Sequence, residues 1–398
     1  MMKHSFFFMI FLTSILIAQE PDILSRSAVL MDATTGTVLF AKDADISIPP
    51  ASLAKLMTMH IALSEISAGQ AFLDEIVELP QEAWAENQPP GSSLMFLARG
   101  QKVTLEELLL GLIISSGNDA AVAVALRFAQ TVQQFANRMN EEADKMGFLQ
   151  TFFVEPSGVS EKNMTTAFEF ASFCREYIRL HPETLRDYHS VEKFAYPKAD
   201  NVPAAYRSRP GTVMQYNRNT LLGAVEGVDG LKTGYIDESG YNIALTAERN
   251  GTRLIAVILG APAKYGGDRI RDDDGEKLLE FGFEHYKTVR PQVDSLEPVR
   301  LWLGKTNSVE VDVERNNAFT TTVDRAHTIY QKIEIDEPVL APLDKGAVIG
   351  KLIFYDDTGN LAQSDLFTTA AAEKGGFFKR LFDRIQLWWR QLTKRDKK

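Results

Sequence analysis

The sequence predicts an α+β protein: an antiparallel sheet flanked by helices, then a small all-β domain and a C-terminal amphipathic helix. Over residues 19–288, extended apolar runs stand at both ends with helical patterns between them, so the terminal strands most simply share one antiparallel sheet. From 289 to 372, short strand-like runs alternate with Gly, Pro, Asn and Asp, and the helical period fades. Residues 373–398 restore a helical period, rich in aromatic and basic side chains. A chain of 398 residues accommodates two or three such units.

Residues 1–18 read as a signal peptide. Lys3 and His4 precede an apolar run over 6–17, too short for the usual spanning helix, and Leu16-Ile17-Ala18 suits cleavage after Ala18. An uncleaved anchor is the alternative. Export implies an oxidising compartment, yet Cys174 is the only cysteine, so no intrachain disulfide can form. Beside Phe170, Ala171 and Phe173 it reads as a buried apolar residue.

Residues 27–30 and 37–41 flank Asp32-Ala33-Thr34-Thr35-Gly36 as a hairpin. A helix begins directly after Pro49-Pro50, with Leu56, Met59, Leu63 and Ile66 on one face and Gly69 at its end. Residues 70–99 read as loop with one short strand. Thr104 and Glu107 form a capping box ahead of 108–114, which is apolar on every face and therefore buried. After the break at Ser115-Ser116-Gly117-Asn118 come an Ala/Val-rich helix over 119–129 and an amphipathic helix ending at Met146-Gly147. Mixed structure fills 148–215. Strands follow at 231–235, 241–247 and 254–260, with Asn250-Gly251 as a tight turn, and 278–286 reads as a closing helix. The all-β domain is expected to use 299–303, 308–313, 332–335, 348–354 and 364–367.

Apolar and charged fractions of 45% and 24% are ordinary for globular protein, and a net charge of −10 argues against a general nucleic-acid binder. The last 25 residues go against that average, with nine Lys and Arg against Asp383 and Asp396. The six histidines show no metal-ligand spacing, so no metal or other cofactor is expected, and His60 reads as structural.

Three stretches carry chemistry. Ser52 and Lys55 lie three apart at a helix start, so hydroxyl and amine can meet, and a lysine with a lowered pKa can take the serine proton. Ser116-Gly117-Asn118 sits at a helix break, where a hydroxyl can relay protons and an amide can bind substrate. Lys232-Thr233-Gly234 lies on a strand and offers a cation, a hydroxyl for a carboxylate, and a glycine that lets a substrate backbone approach.

In this order the three motifs resemble those of the serine penicillin-recognising enzymes. The surrounding text (Gly91-Ser92-Ser93-Leu94-Met95-Phe96-Leu97, Asn217-Arg218-Asn219, Val228-Asp229-Gly230-Leu231) looks like low-molecular-mass penicillin-binding proteins of the D-alanyl-D-alanine carboxypeptidase type. The resemblance covers nearly the whole mature chain. It implies a penicillin-binding/β-lactamase-like domain, peptidoglycan stem peptide as substrate and β-lactams as inhibitors. It further implies Ser52 as acylated nucleophile, Lys55 as its base and Ser116 as proton relay, with Asn118 and Lys232 completing the cleft. The backbone N–H groups of Ser52 and Tyr235 become the oxyanion hole, each donor contributing roughly 3–4 kcal/mol. Thr233 and Arg271, an arginine before the closing helix, become holders of the substrate carboxylate, with Arg269 the alternative. Tyr235 stands where some relatives carry His or Thr, and Glu169 where Asp is usual. Rivals are a DD-endopeptidase, a catalytically silent peptidoglycan-binding scaffold, and a class A β-lactamase. The last needs a Glu-x-x-x-Asn that is absent between Ser116 and Lys232.

In the tail, Phe377, Phe378, Leu381, Phe382, Ile385, Trp389 and Leu392 fall on one helical face after a Gly375-Gly376 hinge. Arg380, Asp383, Arg384, Arg390 and Gln391 take other sides. Trp388 and Trp389 among cations fit a helix lying in a membrane interface, on the outer, periplasmic face given the export signal. A helix docked on a protein partner is the other reading. Any protein partner of the β domain is not legible.

Overall fold

Asp32 closes the first hairpin: its carboxylate accepts the amides of Thr34 and Thr35, turning strand β1 (Ser27–Asp32) into β2 (Val38–Lys42). The computed structural model describes residues 20–203, 212–264, 266–314 and 317–395; the expected signal peptide lies outside them. At the other end of the domain, β3 (Val228–Ile236), β4 (Gly240–Arg249) and β5 (Thr252–Ala261) form an antiparallel meander. Both central residues of the Asn250-Gly251 turn have positive φ, which suits the twist of the flanking strands. β5 pairs with β1, so the sheet runs β2-β1-β5-β4-β3 and β3 is an edge. The two ends of the domain do share one antiparallel sheet.

Side-chain alternation divides this sheet between two cores. Val29, Met31, Ala244 and Val257 face one cluster, and Ala28, Leu30, Leu245 and Ala256 the other. The first cluster is completed by α1 (Lys55–Ser67), α2 (Leu105–Ile113), α3 (Asn118–Phe128), α4 (Val132–Lys145) and α5 (Ala167–Leu180). The second is covered by α6 (Gly267–His285) through Leu278, Leu279 and Phe281.

Several boundaries differ from expectation. The Ser52 segment is a 3-10 turn, Ala51–Ala54, before α1 proper, and α1 is buried on all sides from Lys55 to Leu63 rather than along one stripe. The Thr104–Glu107 capping box forms as expected. α5 lies inside the stretch read as mixed; its Phe-, Tyr- and Cys-rich text has middling helix propensity, and burial against the sheet decides it. A ribbon of Lys193–Tyr196 with Val213–Tyr216 shares that stretch. α6 begins at Gly267, not at 278, because its first half is polar and shows no apolar period. It is fastened instead by buried Asp274, which accepts from Leu24 N, Ser25 N and Ser25 Oγ. Arg271 therefore lies within the helix rather than before it.

In the second domain, Val311–Val313, Gly359–Thr368, Val348–Asp356 and Tyr330–Ile335 form a four-stranded antiparallel sheet in that order. The run expected at 308–313 splits, with Ser308–Val309 pairing to Val299–Arg300. An unexpected ribbon, Tyr286–Val289 with Phe319–Thr322, bridges the domains. The same Asp32 carboxylate fastens it, accepting Thr288 Oγ1 at 2.6 Å and Thr320 Oγ1 at 2.8 Å.

The tail is a helix, α7 (Phe377–Arg395). Its apolar face is exposed, Phe378 by 83% and Trp389 by 61%. Asp383, on another side of the helix as expected, is buried: it accepts Leu303 N and Lys379 Nζ, both at 2.7 Å. The Arg300 and Arg390 guanidinium groups lie over the Trp302 ring at 4.5 and 5.5 Å. Nor is Gly375 a free hinge. It donates its N–H to Leu303 O, and a Cβ there would meet Gly304 O at 2.6 Å. No described helix is long and apolar enough to cross a membrane.

Candidate active site

The site lies where the Ser52 turn meets the edge strand β3. Pro50 leads into Ala51, a non-glycine residue at φ +51°, and Ser52 follows half-buried. Backbone packs on this turn from two sides. A Cβ at Gly234 would stand 2.9 Å from Ser52 N and 3.0 Å from Pro50 O. One at Gly158, itself at φ +81°, would stand 1.8 Å from Ala51 O. Gly234 thus serves first to admit the serine turn, not only a substrate. Asn242 on β4 adds a third tie, donating to Pro49 O at 3.0 Å.

Lys55 is fully buried, and its Nζ reaches Ser52 Oγ at 3.0 Å, Asn118 Oδ1 at 2.8 Å and the Ser157 carbonyl. Burial brings its pKa down to about 7; Glu155 and Asp119 oppose the shift and Arg218 adds to it. Both opposing carboxylates are occupied. Glu155 gathers the amides of Ser157 and Gly158 and the Asn163 amide group. Asp119 accepts the amides of Met95, Leu97 and Ala120.

Ser116, at φ +55°, turns the break between α2 and α3, and Asn118 opens α3 with its Nδ2 on Ser92 Oγ. On the other side, Lys232 Nζ donates to Ser116 Oγ and to Thr233 O, both at 2.9 Å. Burial again, then the cations of Lys55, Arg218 and Arg271, hold the Lys232 pKa well below that of a free lysine. Two hydrogen-bonded groups thus face one site, Ser52–Lys55–Asn118 and Ser116–Lys232, joined through the 116–118 break and through the charge of Lys55 felt at Lys232. Thr233 is buried beside it on β3.

Two expected residues stand apart from those groups. The Tyr235 side chain is 42% exposed, its ring tilted against Tyr241 at 4.3 Å between centroids and its hydroxyl donating to Asp237. Arg271 is buried and bonded to its neighbour Asp272; its charge is nevertheless felt at Lys232. Sequence reasoning missed Ser157, Gly158, Glu155 and Asn242, since nothing local ties 155–158 or 242 to residue 52. Glu169 gathers Leu149 N, Gln150 N and Thr151 Oγ1. Cys174 is fully buried, which raises its thiol pKa far up. Among the described residues no cluster of His, Cys, Asp and Glu is arranged to hold a metal ion.

Residues 15–263 match the family described as D-alanyl-D-alanine carboxypeptidase. The chain belongs to that family. Residues 283–374 match the C-terminal domain of penicillin-binding protein 5, so this carboxypeptidase-family chain is a low-molecular-mass penicillin-binding protein in both of its domains. It is 33% identical over 380 residues to D-alanyl-D-alanine carboxypeptidase DacC of Escherichia coli (strain K12), covering 94% of this chain and 90% of that one. Penicillin-binding protein 5 from Haemophilus influenzae superposes with a TM-score of 0.79 at 30% identity, covering 89% of this chain and 99% of that one. Penicillin-binding protein D2 from Listeria monocytogenes, solved in the ampicillin-bound form, superposes at 0.55 with 29% identity, over 66% of this chain and all (100%) of that one.

Gly158→Ala tests the packing of the Ser52 turn. A Cβ 1.8 Å from Ala51 O cannot be accommodated without moving that turn. The expected outcome is a loss of about 2 kcal/mol or more in stability, read by thermal melting, together with slowed covalent labelling by a fluorescent penicillin.

Proposed function

We propose that this chain is a serine D-Ala-D-Ala carboxypeptidase that removes the terminal D-alanine of peptidoglycan pentapeptides through an acyl-enzyme on Ser52, and that β-lactams acylate the same hydroxyl. The observation that carries this reading is Lys55 Nζ, 3.0 Å from Ser52 Oγ with its pKa brought to about 7. A neutral amine has two N–H donors and one lone pair. Asn118 Oδ1 and the Ser157 carbonyl can only accept here, so they take the two N–H groups and leave the lone pair for the Ser52 hydroxyl.

The reaction follows from that arrangement. Ser52 Oγ attacks the carbonyl carbon of the penultimate D-alanine as its proton passes to Lys55. The oxyanion accepts from the Ser52 and Tyr235 N–H groups, which Gly234 brings against the serine turn. The C–N bond then breaks, and the leaving amine takes a proton by way of Ser116, whose Oγ accepts from Lys232 Nζ at 2.9 Å. Water attacks the ester, again giving its proton to Lys55, and releases the shortened peptide. Asn118 orients the substrate amide. Lys232, Thr233 and Arg271 favour the terminal carboxylate; Arg271 is preferred to Arg269 because its charge acts at Lys232. Two neighbouring buried amines resist carrying two charges, so substrate anion near Lys232 draws the proton there and keeps Lys55 neutral.

Mass analysis of products tests the function. The chain is expected to release D-alanine from a D-Ala-D-Ala pentapeptide faster than it opens cross-linked muropeptides; the reverse order makes it an endopeptidase. A penicillin should add its mass to the Ser52 peptide and persist there, and Ser52→Ala should abolish both adduct and turnover. Since the neutral form of Lys55 reacts, acylation should rise about tenfold per pH unit below pH about 7 and level off above it. A profile rising towards the ordinary lysine pKa would remove Lys55 from the role of base.

We also infer that α7 lies flat on the periplasmic face of the cytoplasmic membrane. Its Asp383 side is taken up by the β domain while Phe378, Phe382, Trp388 and Trp389 face outward. Each basic residue near an anionic surface adds on the order of 1 kcal/mol. Truncation after Glu373 should leave an enzyme that cleaves small peptides but no longer sediments with anionic vesicles. Equal partition of full-length and truncated chains would favour a protein partner.

A further inference from the structure

Among the described residues β3 pairs with β4 alone, and its other edge borders the site. In an antiparallel pair the backbone groups of alternate residues point to the partner and the rest point away. Residues 231, 233 and 235 form the outward set here, because the first two outward carbonyls are taken by side chains. Thr233 O accepts Lys232 Nζ at 2.9 Å, and Leu231 O bonds His189 Nδ1 at 3.1 Å. Tyr235 is the next outward position, where the proposed substrate pairs.

We propose that His189, held from behind by Tyr177, is a positioning residue that sets the outer edge of β3 so that Lys232 meets Ser116. Leu231 O can only accept, so His189 Nδ1 carries the proton and Nε2 offers a lone pair. Tyr177 O–H donates to that lone pair at 2.8 Å. Both side chains are buried, and an imidazole with each nitrogen engaged has one orientation. Burial together with the Lys232 cation keeps the ring neutral, its pKa down to about 3.

The backbone on either side is tied as well. Asn217 Nδ2 donates to His189 O, Asn219 Nδ2 donates to Gly230 O, and a Cβ on Gly230 would stand 3.1 Å from His189 Cβ. Lys232 follows Leu231 directly, and its Nζ must meet both Ser116 Oγ and Thr233 O at 2.9 Å. A shift of the Leu231 carbonyl therefore moves the amine off Ser116. The two ring nitrogens of His189 bond Tyr177 and Leu231 O, not Ser116 or Ser52, so its influence on the reaction passes through β3.

Two substitutions separate positioning from bulk stability. Asn places an amide N–H near the former Nδ1 and keeps the donor to Leu231 O, while losing the Tyr177 bond. Gln places its amide near the former Nε2, keeping a partner for Tyr177 and losing the donor to Leu231. This inference rests on the proposed acylation of Ser52 for one readout and on amide hydrogen exchange for the other. In the full-length chain, His189→Gln should slow acylation by a fluorescent penicillin about tenfold per folded molecule, the loss of one buried hydrogen bond. It should also speed exchange in the peptide covering 228–236. His189→Asn should restore both to within about threefold of the parent, although it too melts earlier. Equal acylation and equal exchange in the two variants overturn the proposal. If His189→Gln does not fold, Tyr177→Phe decides: faster exchange over 228–236 supports the proposal and parental exchange overturns it. A parental chain that penicillin does not label defeats the acyl-enzyme reading instead, and exchange still decides the role of His189.

Discussion

Backbone against backbone at the Ser52 turn is the contact on which the rest of the site depends. Gly158 meets Ala51 O from one side and Gly234 meets Ser52 N from the other, with no room for a methyl group at either position. Ala51 is held at φ +51° between them, and Asn242 ties Pro49 to β4. The result is a half-exposed hydroxyl on a turn that cannot tilt. A rigid support of this kind keeps a reacting group in its productive geometry without an ordering cost at the moment of reaction. The same contact joins three segments distant in the chain: the sheet, the 155–158 loop and the turn that leads into α1.

The second constraint is electrostatic. Two lysines are buried within one site, and desolvation is the largest influence on each. The nearby carboxylates could restore full protonation of Lys55, but each is already engaged. Glu155 holds the 157–163 loop, and Asp119 gathers the amides that shape 95–97. Their charges are therefore partly answered before Lys55 meets them, and the amine stays near neutrality. Backbone packing and lowered lysine basicity meet in the 155–158 loop, where Gly158 lies against Ala51 O and the Ser157 carbonyl accepts from the buried Lys55 Nζ.

Beyond the site, single carboxylates join large units. Asp32 closes the first hairpin and receives Thr288 and Thr320 from the bridging ribbon, coupling the sheet to the second domain. Asp383 does the same for α7, whose polar side docks on the β domain while its apolar side faces out. The orientation of that apolar face is thereby set relative to the β domain, and through Asp32 relative to the catalytic sheet.

What the sequence by itself determined is local. Turn chemistry at Asp32–Gly36 and Asn250-Gly251, the Thr104–Glu107 capping box, the apolar strands and the three motifs are each set by neighbours a few residues away, and all were legible. The amphipathic period of α7 was legible too, for the same reason. Tertiary structure decided whatever depends on a distant partner. The first half of α6 lacks a clear period and becomes helical because Asp274 finds Ser25; α5 does carry one in Ala167, Phe170, Cys174 and Tyr177, unread in the aromatic-rich text, and packs that face on the sheet. Asp383 is polar on a polar face, yet the Leu303 amide buries it. Gly234 and Gly158 read as ordinary turn and strand glycines until Ala51 and Ser52 lie against them. His189 and Leu231 are far apart in the chain, and only folding brings imidazole to carbonyl. Spacing along a chain encodes which groups can share a turn or a face. Contact between segments a hundred residues apart is settled by how the sheet closes, and that closure is what makes Lys55 a weakly basic amine beside a fixed hydroxyl.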